Sequence, residues 1–408
     1  MKALTQYLPI DRFALWLRAG AAPLAEADLS RAISVARIVL IAGLVFLHFG
    51  AFPSATVSPF DGMNPAIHPV ATFVNSFVLF FFFSAVPLLS MVSGWLYFTF
   101  DDAQAAGALR ERITRRLGSL YLPLVFWNAL YLFLAVLLLA FWPGSPVLGE
   151  FNIDPLESRP ARFFNAVFAI THHPIAFQFW FVRDLLVTVL ISPLLWFALR
   201  HAPYIGAAAL GLSWLAGNDL GIFFRADVAL FFYLGGLVRM RRLPLEIGPR
   251  AGTILLMIYI VLVALRAMAP AFMDITPNRP ELLDVATRAM RLIGVLACWS
   301  VVCRLAATAS GRNIARYGGL SFFLFATHFP MIAAAKHLLW PLLPVQNDFW
   351  MIVHYVTSVA LTVLVGLSLA MVFARFAPKI FALMNGGREI PIGRAQTQVK
   401  SPSGAARV

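Results

Sequence analysis

The chain has 408 residues, of which 60% are hydrophobic and only 12% charged, and its mean hydropathy is +0.80. Soluble domains average about 25% charged residues, so the composition excludes a soluble globular protein and predicts an all-α protein that crosses a membrane many times. The net charge of +13 does not indicate nucleic-acid binding, because most Lys and Arg lie in connections that the positive-inside rule places in the cytoplasm.

Ten apolar segments are predicted to be membrane-spanning helices, of which the sixth is short for a full crossing. They lie at 33–51, 70–98, 118–142, 179–199, 204–222, 226–240, 251–270, 287–306, 318–340 and 349–375. This pattern divides the chain into an N-terminal segment (1–32) typical of an interfacial helix, a ten-helix membrane domain (33–377) and a disordered basic tail (378–408). We expect no cleaved signal, so that the first span directs membrane insertion.

Basic residues set the orientation of these spans. Arginines fill the second, sixth and eighth connections, whereas the alternate connections carry acidic residues such as Asp61, Glu150 and Asp284. Connections rich in Lys and Arg stay on the cytoplasmic side. Both termini are therefore predicted to be cytoplasmic, and segment 143–178 is predicted to lie outside.

The first span contains the most informative pair of residues. Arg37 and His48 are separated by ten residues of an otherwise apolar segment. Eleven steps along an α-helix return to nearly the same face and rise about 16 Å. Ionisable groups at membrane depth are energetically expensive and indicate function, so the pair predicts a site for a long substrate that lies along the helix.

Four further groups of candidate residues follow in chain order. Pro87 predicts a kink in the second span, and Ser93 and Gly94 allow close approach of a helix or a ligand. The others are a basic cluster before the third span (Arg112, Arg115 and Arg116), the start of the fourth span (Trp180, Arg183 and Asp184), and His328 before Pro330 in the ninth span. The remaining histidines lack the partners of a metal site, so no metal is expected.

These motifs, in this order, resemble those of the acyltransferase-3 family, the integral-membrane O-acyltransferases that modify bacterial surface glycans. The matching elements are Arg37-x10-His48, Phe82 to Gly94, the basic cluster leading into Tyr121-Leu-Pro123, Trp180-Phe-Val-Arg183-Asp184, and Ser321 through His328 to Pro330. Arg112 and Arg115 have the spacing of the family's Arg-x-x-Arg motif. The distance to Tyr121 instead favours Arg116, so all three arginines remain candidates.

The resemblance implies transfer of an acyl group, usually acetyl, from cytoplasmic acyl-CoA to a hydroxyl of a lipid-linked or exported glycan at a bacterial inner membrane. It implies a catalytic role for His48, with Arg37 as its essential companion. A neutral imidazole suits proton removal from a hydroxyl near pH 7, and arginines bind phosphates bidentately. The candidate donor-binding residues are therefore Ser93, Arg112, Arg115 and Arg116, and the candidate acceptor-binding residues are Trp180, Arg183, Asp184 and His328. Membrane lipids and proteins of glycan biosynthesis are the other expected partners.

Each candidate also has a structural interpretation. Arg37 can anchor its span by snorkelling, the basic cluster can be a topology signal, Arg183 and Asp184 can form a boundary ion pair, and His328 can make a structural hydrogen bond. For the whole protein, the alternative is a non-enzymatic transporter or flippase for a glycan or an anionic cargo. The absence of an internal sequence repeat and the spacing of Arg37 and His48 favour the enzyme.

Overall fold

The structure, a computed structural model, describes residues 9–100, 102–152, 159–275 and 280–388. Over these residues the chain is helical and has no strand, which confirms the predicted all-α class. The α-helices are α1 (Pro9–Arg18), α2 (Glu26–His48), α3 (Pro69–Phe82), α4 (Ala85–Tyr97), α5 (Ala105–Arg116), α6 (Leu122–Phe141), α7 (Pro160–Phe168), α8 (Trp180–Leu190), α9 (Ser192–His201), α10 (Pro203–Leu215), α11 (Asp227–Met240), α12 (Pro249–Ala267), α13 (Glu281–Ala307), α14 (Ala309–Ala315), α15 (Ser321–Leu339), α16 (Asp348–Phe376) and α17 (Pro378–Met384).

Seven helical segments of the described chain are long and apolar enough to cross a membrane, and α8 with α9, bent by 60°, gives an eighth if the pair is one span. The predicted spans at 204–222 and 226–240 correspond to α10 and α11, which have only 13 and 14 residues. At 1.5 Å per residue they are roughly 20 Å long, less than the ~30 Å hydrocarbon core. The polar turn between them, which includes Asp219 and Arg225, shortens both helices.

The second predicted span, Pro69–Tyr97, is one helical segment that is interrupted at Phe83 and Ser84, between α3 and α4 and just before Pro87. Pro87 has no N–H to donate to the carbonyl of Phe83, four residues earlier. At the same interruption the hydroxyl of Tyr259 lies 2.7 Å from the carbonyl oxygen of Phe81 and 2.7 Å from the Ser84 hydroxyl. A side chain from α12 therefore contacts the backbone where α3 ends and α4 begins.

Glycines allow α4 and α11 to pack with their backbones in contact. A Cβ atom on Gly94 would overlap the carbonyl of Phe232, and one on Gly235 would overlap the carbonyl of Met91. Small residues permit this close approach in membrane proteins. The packing places α11 in the interior of the bundle, where most of its residues are buried, and it leaves the neighbouring Ser93 facing a cavity.

Helix α2, which carries Arg37 and His48, lies inside the bundle. It packs against α3, α4, α13 and α15, and ten of its residues, between Ala32 and Val45, are buried. The first turn of α2 is exposed, but the part that carries Arg37 and leads to His48 is enclosed by other helices.

The predicted domain limits remain predictions, but the structure shows how their ends begin. Helix α1 lies within the N-terminal segment 1–32, and α2 begins at Glu26, before the predicted limit. The predicted tail 378–408 starts as helix α17, followed by Gly386 and Gly387 with φ of 65° and 73°. This left-handed backbone favours glycine and turns the chain back toward the bundle. Residues 389–408 lie outside the described residues.

Candidate active site

Two histidines from different helices meet near the C-terminal end of α2. His48 is the last residue of α2, and His328 lies in α15. The Nδ1 atom of His48 is 2.6 Å from the Nε2 atom of His328, and the ring centroids are 4.9 Å apart. The fold therefore joins two motifs that are 280 positions apart in the sequence.

The hydrogen bonds around His328 determine which of the two histidines donates the hydrogen bond between them. His328 Nδ1 is 2.6 Å from the carbonyl oxygen of Phe325, which can only accept, so Nδ1 carries the proton. In a neutral ring Nε2 is then an acceptor, and His48 must donate to it from Nδ1. The Nε2 atom of a neutral His48 is consequently left with a free lone pair, which is the form of a general base.

Pro330 creates a second polar arrangement beside the histidines. A proline inside a helix cannot bond the carbonyl four residues earlier, which here belongs to Ala326. That oxygen accepts hydrogen bonds from the Tyr131 hydroxyl (2.8 Å) and the Gln178 amide nitrogen (2.9 Å) instead. Gln178 is fully buried, and its carboxamide oxygen has no partner among the described residues. An unpaired buried acceptor is costly, so this oxygen is suited to bind a hydrogen-bond donor of a ligand.

The cavity beside His48, which we call the histidine cavity, has polar and aromatic walls. Its polar side chains are those of His48, Gln178, Arg225, Asp227 and Arg291. Most of the remaining wall is aromatic and comes from Phe60, Phe82, Phe83, Phe177, Trp180, Phe181 and Phe325. A few convergent polar groups on an aromatic surface fit a ligand that carries hydroxyl groups.

The histidine cavity continues toward the surface of the protein. A more open cavity between α10, α11 and α13 shares five of its lining residues, namely Phe60, Phe83, Arg225, Asp227 and Arg291. Asp219, Asp284 and Arg288 line the outer part of this passage. A ligand can thus reach His48 from the side opposite to Arg37.

Arg183 and Asp184, which were predicted to bind the acceptor, lie behind the cavity wall. The buried carboxylate of Asp184 accepts hydrogen bonds from the backbone N–H groups of Phe224 (3.0 Å) and Arg225 (2.8 Å), and it pairs with Arg183 (3.0 Å). Arg183 also donates to the carbonyl of Ile170 (2.8 Å). The pair therefore holds the segment that positions Arg225.

Trp180 lies on the cavity itself. Its ring is 5% exposed and lines the histidine cavity. The Cζ atom of Arg225 is 4.7 Å above this ring, a distance at which a guanidinium is attracted to an aromatic face. Trp180 therefore holds the guanidinium of Arg225 at the wall of the histidine cavity.

Three arginines converge on another cavity, the arginine cavity, near the N-terminal half of α2. Arg37 comes from α2, Arg116 from the end of α5, and Arg388 from the segment after α17, and Ser93 also lines this cavity. No Asp or Glu of the described chain lines it. Because unpaired cations in a partly buried site are unfavourable, the cavity is suited to an anionic ligand such as a phosphate.

The other two arginines of the basic cluster point elsewhere. Arg112 donates to the Thr99 hydroxyl (2.8 Å) and to the Tyr97 carbonyl, so it caps the end of α4. Arg115 is exposed and pairs with Glu111 on the same helix. Only Arg116 among the three faces the arginine cavity, and a π-helical turn at Leu117–Tyr121 follows it directly.

The two cavities are neighbours along α2. Phe181 and Phe325 line both of them, and these two rings meet edge to face with centroids 6.0 Å apart. The rise of about 16 Å between Arg37 and His48 covers the arginine cavity, the ring pair and the histidine cavity. The arrangement fits a ligand with anionic groups at one end and a reactive group at the tip of a long arm.

Sequence reasoning missed several residues of these cavities. Arg225 lies between two predicted spans, Arg388 lies in the predicted tail, and Gln178 lies just before the Trp180 motif without a pattern of its own. The local signal for Gln178 was Pro330, because this proline leaves the carbonyl of Ala326 without its helical hydrogen-bond donor. Among the described residues, no group of three or more His, Cys, Asp or Glu is placed to hold a metal ion.

Comparison with known proteins identifies the family to which the chain belongs. The model of the acyltransferase-3 family, described as an acyltransferase domain, matches residues 30–372, and the chain belongs to this family. It is therefore a membrane acyltransferase that transfers groups other than amino-acyl groups. Family membership decides between the two predicted classes in favour of the enzyme.

A curated relative covers almost the whole chain. The succinoglycan biosynthesis protein ExoH of Rhizobium meliloti (strain 1021) is 25% identical over 386 residues, which are 93% of this chain and 97% of the relative. No solved structure matches the chain. The resemblance carried by the sequence motifs is thus confirmed by the family match over the membrane domain.

Proposed function

We propose that the protein transfers an acyl group, in the first place acetyl, from cytoplasmic acyl-CoA to a hydroxyl group of a lipid-linked or exported glycan. The observation that carries this proposal is the placement of the arginine cavity and the histidine cavity end to end along α2, separated by Phe181 and Phe325. A donor with phosphates at one end and a thioester at the tip of an arm matches both cavities at once.

The arginine cavity receives the phosphates of the donor. Arg37 and Arg116 have no carboxylate partner in the described part of the chain, and guanidinium groups bind phosphate oxygens bidentately. The arm then passes Phe181 and Phe325 and brings the thioester into the histidine cavity, beside His48. In this arrangement Arg37 is a donor-binding residue, whereas Arg112 and Arg115 support the fold around it.

The reaction at His48 is a direct acyl transfer. His48 Nε2 takes the proton of the acceptor hydroxyl while the hydroxyl oxygen attacks the thioester carbonyl carbon. This attack forms the new C–O bond. Collapse of the tetrahedral intermediate breaks the C–S bond, and the CoA thiolate leaves and recovers the proton from His48. His328 is a positioning residue, because its hydrogen bond keeps the proton of neutral His48 on Nδ1.

The acceptor enters the histidine cavity from the other side. Gln178, Arg225, Asp227 and Arg291 offer hydrogen-bond donors and acceptors above aromatic faces, which is the chemistry that recognises a sugar with several hydroxyl groups. The curated relative is named as a protein of succinoglycan biosynthesis, and this supports a glycan as the acceptor. Proteins of the glycan pathway and membrane lipids are the partners that deliver it.

The distribution of charge supports a bacterial inner membrane with both termini in the cytoplasm. The end of α5 carries Arg110, Arg112, Arg115 and Arg116, and such connections stay inside. The arginine cavity then faces the cytoplasm, where acyl-CoA is found. His48 lies toward the outer face, so the acyl group crosses the membrane through the enzyme.

Sealed membrane vesicles of opposite orientation test both the reaction and its sidedness. Inside-out vesicles expose the Arg116 side, so we expect them to transfer label from acetyl-CoA to added glycan acceptor in their lumen or to hydrolyse the donor slowly. Right-side-out vesicles are expected to show neither activity until they are permeabilised. Succinyl-CoA, assayed in parallel, determines which acyl group is preferred.

Two results would contradict the proposal in different ways. Donor use only by right-side-out vesicles would reverse the proposed orientation. No use of either acyl-CoA in permeabilised vesicles that contain the folded protein and glycan acceptor would eliminate acyl-CoA as the donor.

Neighbouring arginines on α5 provide a matched pair of substitutions. Arg116→Gln is expected to raise the KM for the donor roughly tenfold to a hundredfold, since a charge-assisted hydrogen bond contributes about 1.5–3 kcal/mol. Arg115→Gln removes only an exposed ion pair with Glu111, which contributes at most about 1 kcal/mol to stability, and should leave donor kinetics unchanged. Equal donor kinetics in both variants would show that Arg116 is a topology signal only.

A further inference from the structure

The C-terminal segment beyond the last long helix is anchored to the bundle by buried contacts. The indole N–H of Trp127 in α6 donates to the carbonyl of Met384 (2.9 Å). The side chain of Asn385 is fully buried and donates to the carbonyl of Gly319 (2.9 Å), just before α15. These bonds fix the turn that follows α17 and hence the place of the next residues.

Arg388 is the residue that this turn delivers to the arginine cavity. Its guanidinium lies 4.5 Å from the ring centre of Phe322, and both residues line the cavity with Arg37 and Arg116. One of its N–H groups donates to the carbonyl of Asn385 (2.9 Å). The described residues offer no acceptor for the other N–H groups of this five-donor side chain, so they are available to a ligand.

The charge of Arg388 is unfavourable unless an anion accompanies it. Burial lowers the pKa of Arg388 to about 9, and repulsion from Arg37 and Arg116 adds to the effect. The group still carries its charge at neutral pH, and a partly buried cation beside two others weakens the fold unless it is compensated. A bound phosphate would supply that compensation.

We propose that Arg388 binds a phosphate of the acyl donor and that the described end of the chain, from Pro378 to Arg388, contributes to the wall of the donor site beside Arg37 and Arg116. This inference rests on acyl-CoA as the donor. It assigns a binding role to a part of the chain whose sequence alone indicates a disordered tail.

Binding of CoA to the purified full-length protein, measured by calorimetry, tests the proposal. We expect Arg388→Gln to weaken CoA binding roughly tenfold to a hundredfold, as for loss of a charge-assisted hydrogen bond. Arg388→Lys is expected to bind CoA with intermediate affinity, because it keeps the charge but loses the planar fork. Arg375→Gln is the matched control, since Arg375 is an exposed arginine at the end of α16 and does not line the arginine cavity. The affinity of this variant for CoA should equal that of the wild type.

Turnover separates binding from a merely structural role. In Arg388→Gln the KM for the donor should rise while the rate at saturating donor is retained, whereas a structural defect would lower the amount of folded enzyme and the rate together. If Arg388→Gln does not accumulate, CoA binding to Arg388→Lys tests the proposal instead. A CoA affinity of Arg388→Lys equal to that of the wild type overturns the proposal. A wild-type protein that binds no CoA refutes the donor itself, whereas CoA binding that is equal in wild type and Arg388→Gln refutes the role of Arg388 alone.

Discussion

Replacement of His48 by alanine is expected to lower acyl transfer by about 10²–10⁴-fold, the usual contribution of general base catalysis. His48 lines the histidine cavity, and its Nε2 atom is the free ring nitrogen because its Nδ1 atom is hydrogen-bonded to His328. Label transfer from acyl-CoA to glycan, measured at matched protein levels, gives the size of the effect. CoA binding should persist, since the arginine cavity is unchanged.

His201→Ala is the control for this substitution. His201 is exposed at the end of α9, where it bonds only to its own helix at the carbonyl of Phe197, so its loss should leave activity at the wild-type level. Added imidazole is expected to restore part of the activity of His48→Ala by entering the vacated space. Activity near the wild-type level in His48→Ala would exclude His48 as the base.

The second large effect is expected from His328. In His328→Leu the acceptor for His48 Nδ1–H is lost, so the proton of neutral His48 can move to Nε2 and remove the lone pair. Enforcing the wrong tautomer in a Ser-His-Asp triad costs about 10⁴-fold in kcat, and we expect a loss of roughly 10²-fold or more here. The loss should appear in kcat, whereas the KM for the donor and the binding of CoA remain as in the wild type.

The conservative variant His328→Gln distinguishes tautomer control from packing. The carboxamide oxygen of Gln can occupy the place of His328 Nε2 and accept the hydrogen bond from His48, so we expect His328→Gln to recover most of the activity that His328→Leu loses. Equal activities in the Leu and Gln variants, both folded and CoA-binding, would show that the contact between the two rings is packing alone.

Local sequence patterns predicted the features of the fold that depend on neighbouring residues in the sequence. The apolar runs located the membrane helices, Pro87 predicted the break between α3 and α4, and the helical repeat placed Arg37 and His48 on one face. The same patterns overestimated the lengths of α10 and α11, because an apolar run that contains a polar turn does not show where each helix ends. Helix α11 is instead placed by its packing against α4, α10 by its packing against α9 and α11, and the loop between the two helices is held at Asp184.

The site depended more on tertiary contacts than on motifs. The pairing of His48 with His328 joins helices far apart in sequence, and no spacing rule could specify it. Arg183 and Asp184 have the charges of a ligand site, but their partners include backbone groups of the segments that precede α8 and α11. Arg388 belongs to a polar, basic segment whose composition suggested disorder, and only the contacts of Met384 and Asn385 reveal its place.

The aromatic pair between the two cavities bears on the energetics of the cell as well as on catalysis. A route that carries an acyl group through a bilayer would, if filled with water, also let protons run down their gradient. Phe181 and Phe325 bring two apolar edges together at the junction, and hydrophobic constrictions of this kind interrupt a water column by dewetting. A flexible, uncharged arm can displace the rings, whereas a hydrated ion would have to give up its water. On the proposed route of the acyl group, the same two side chains would therefore keep the membrane sealed against ions.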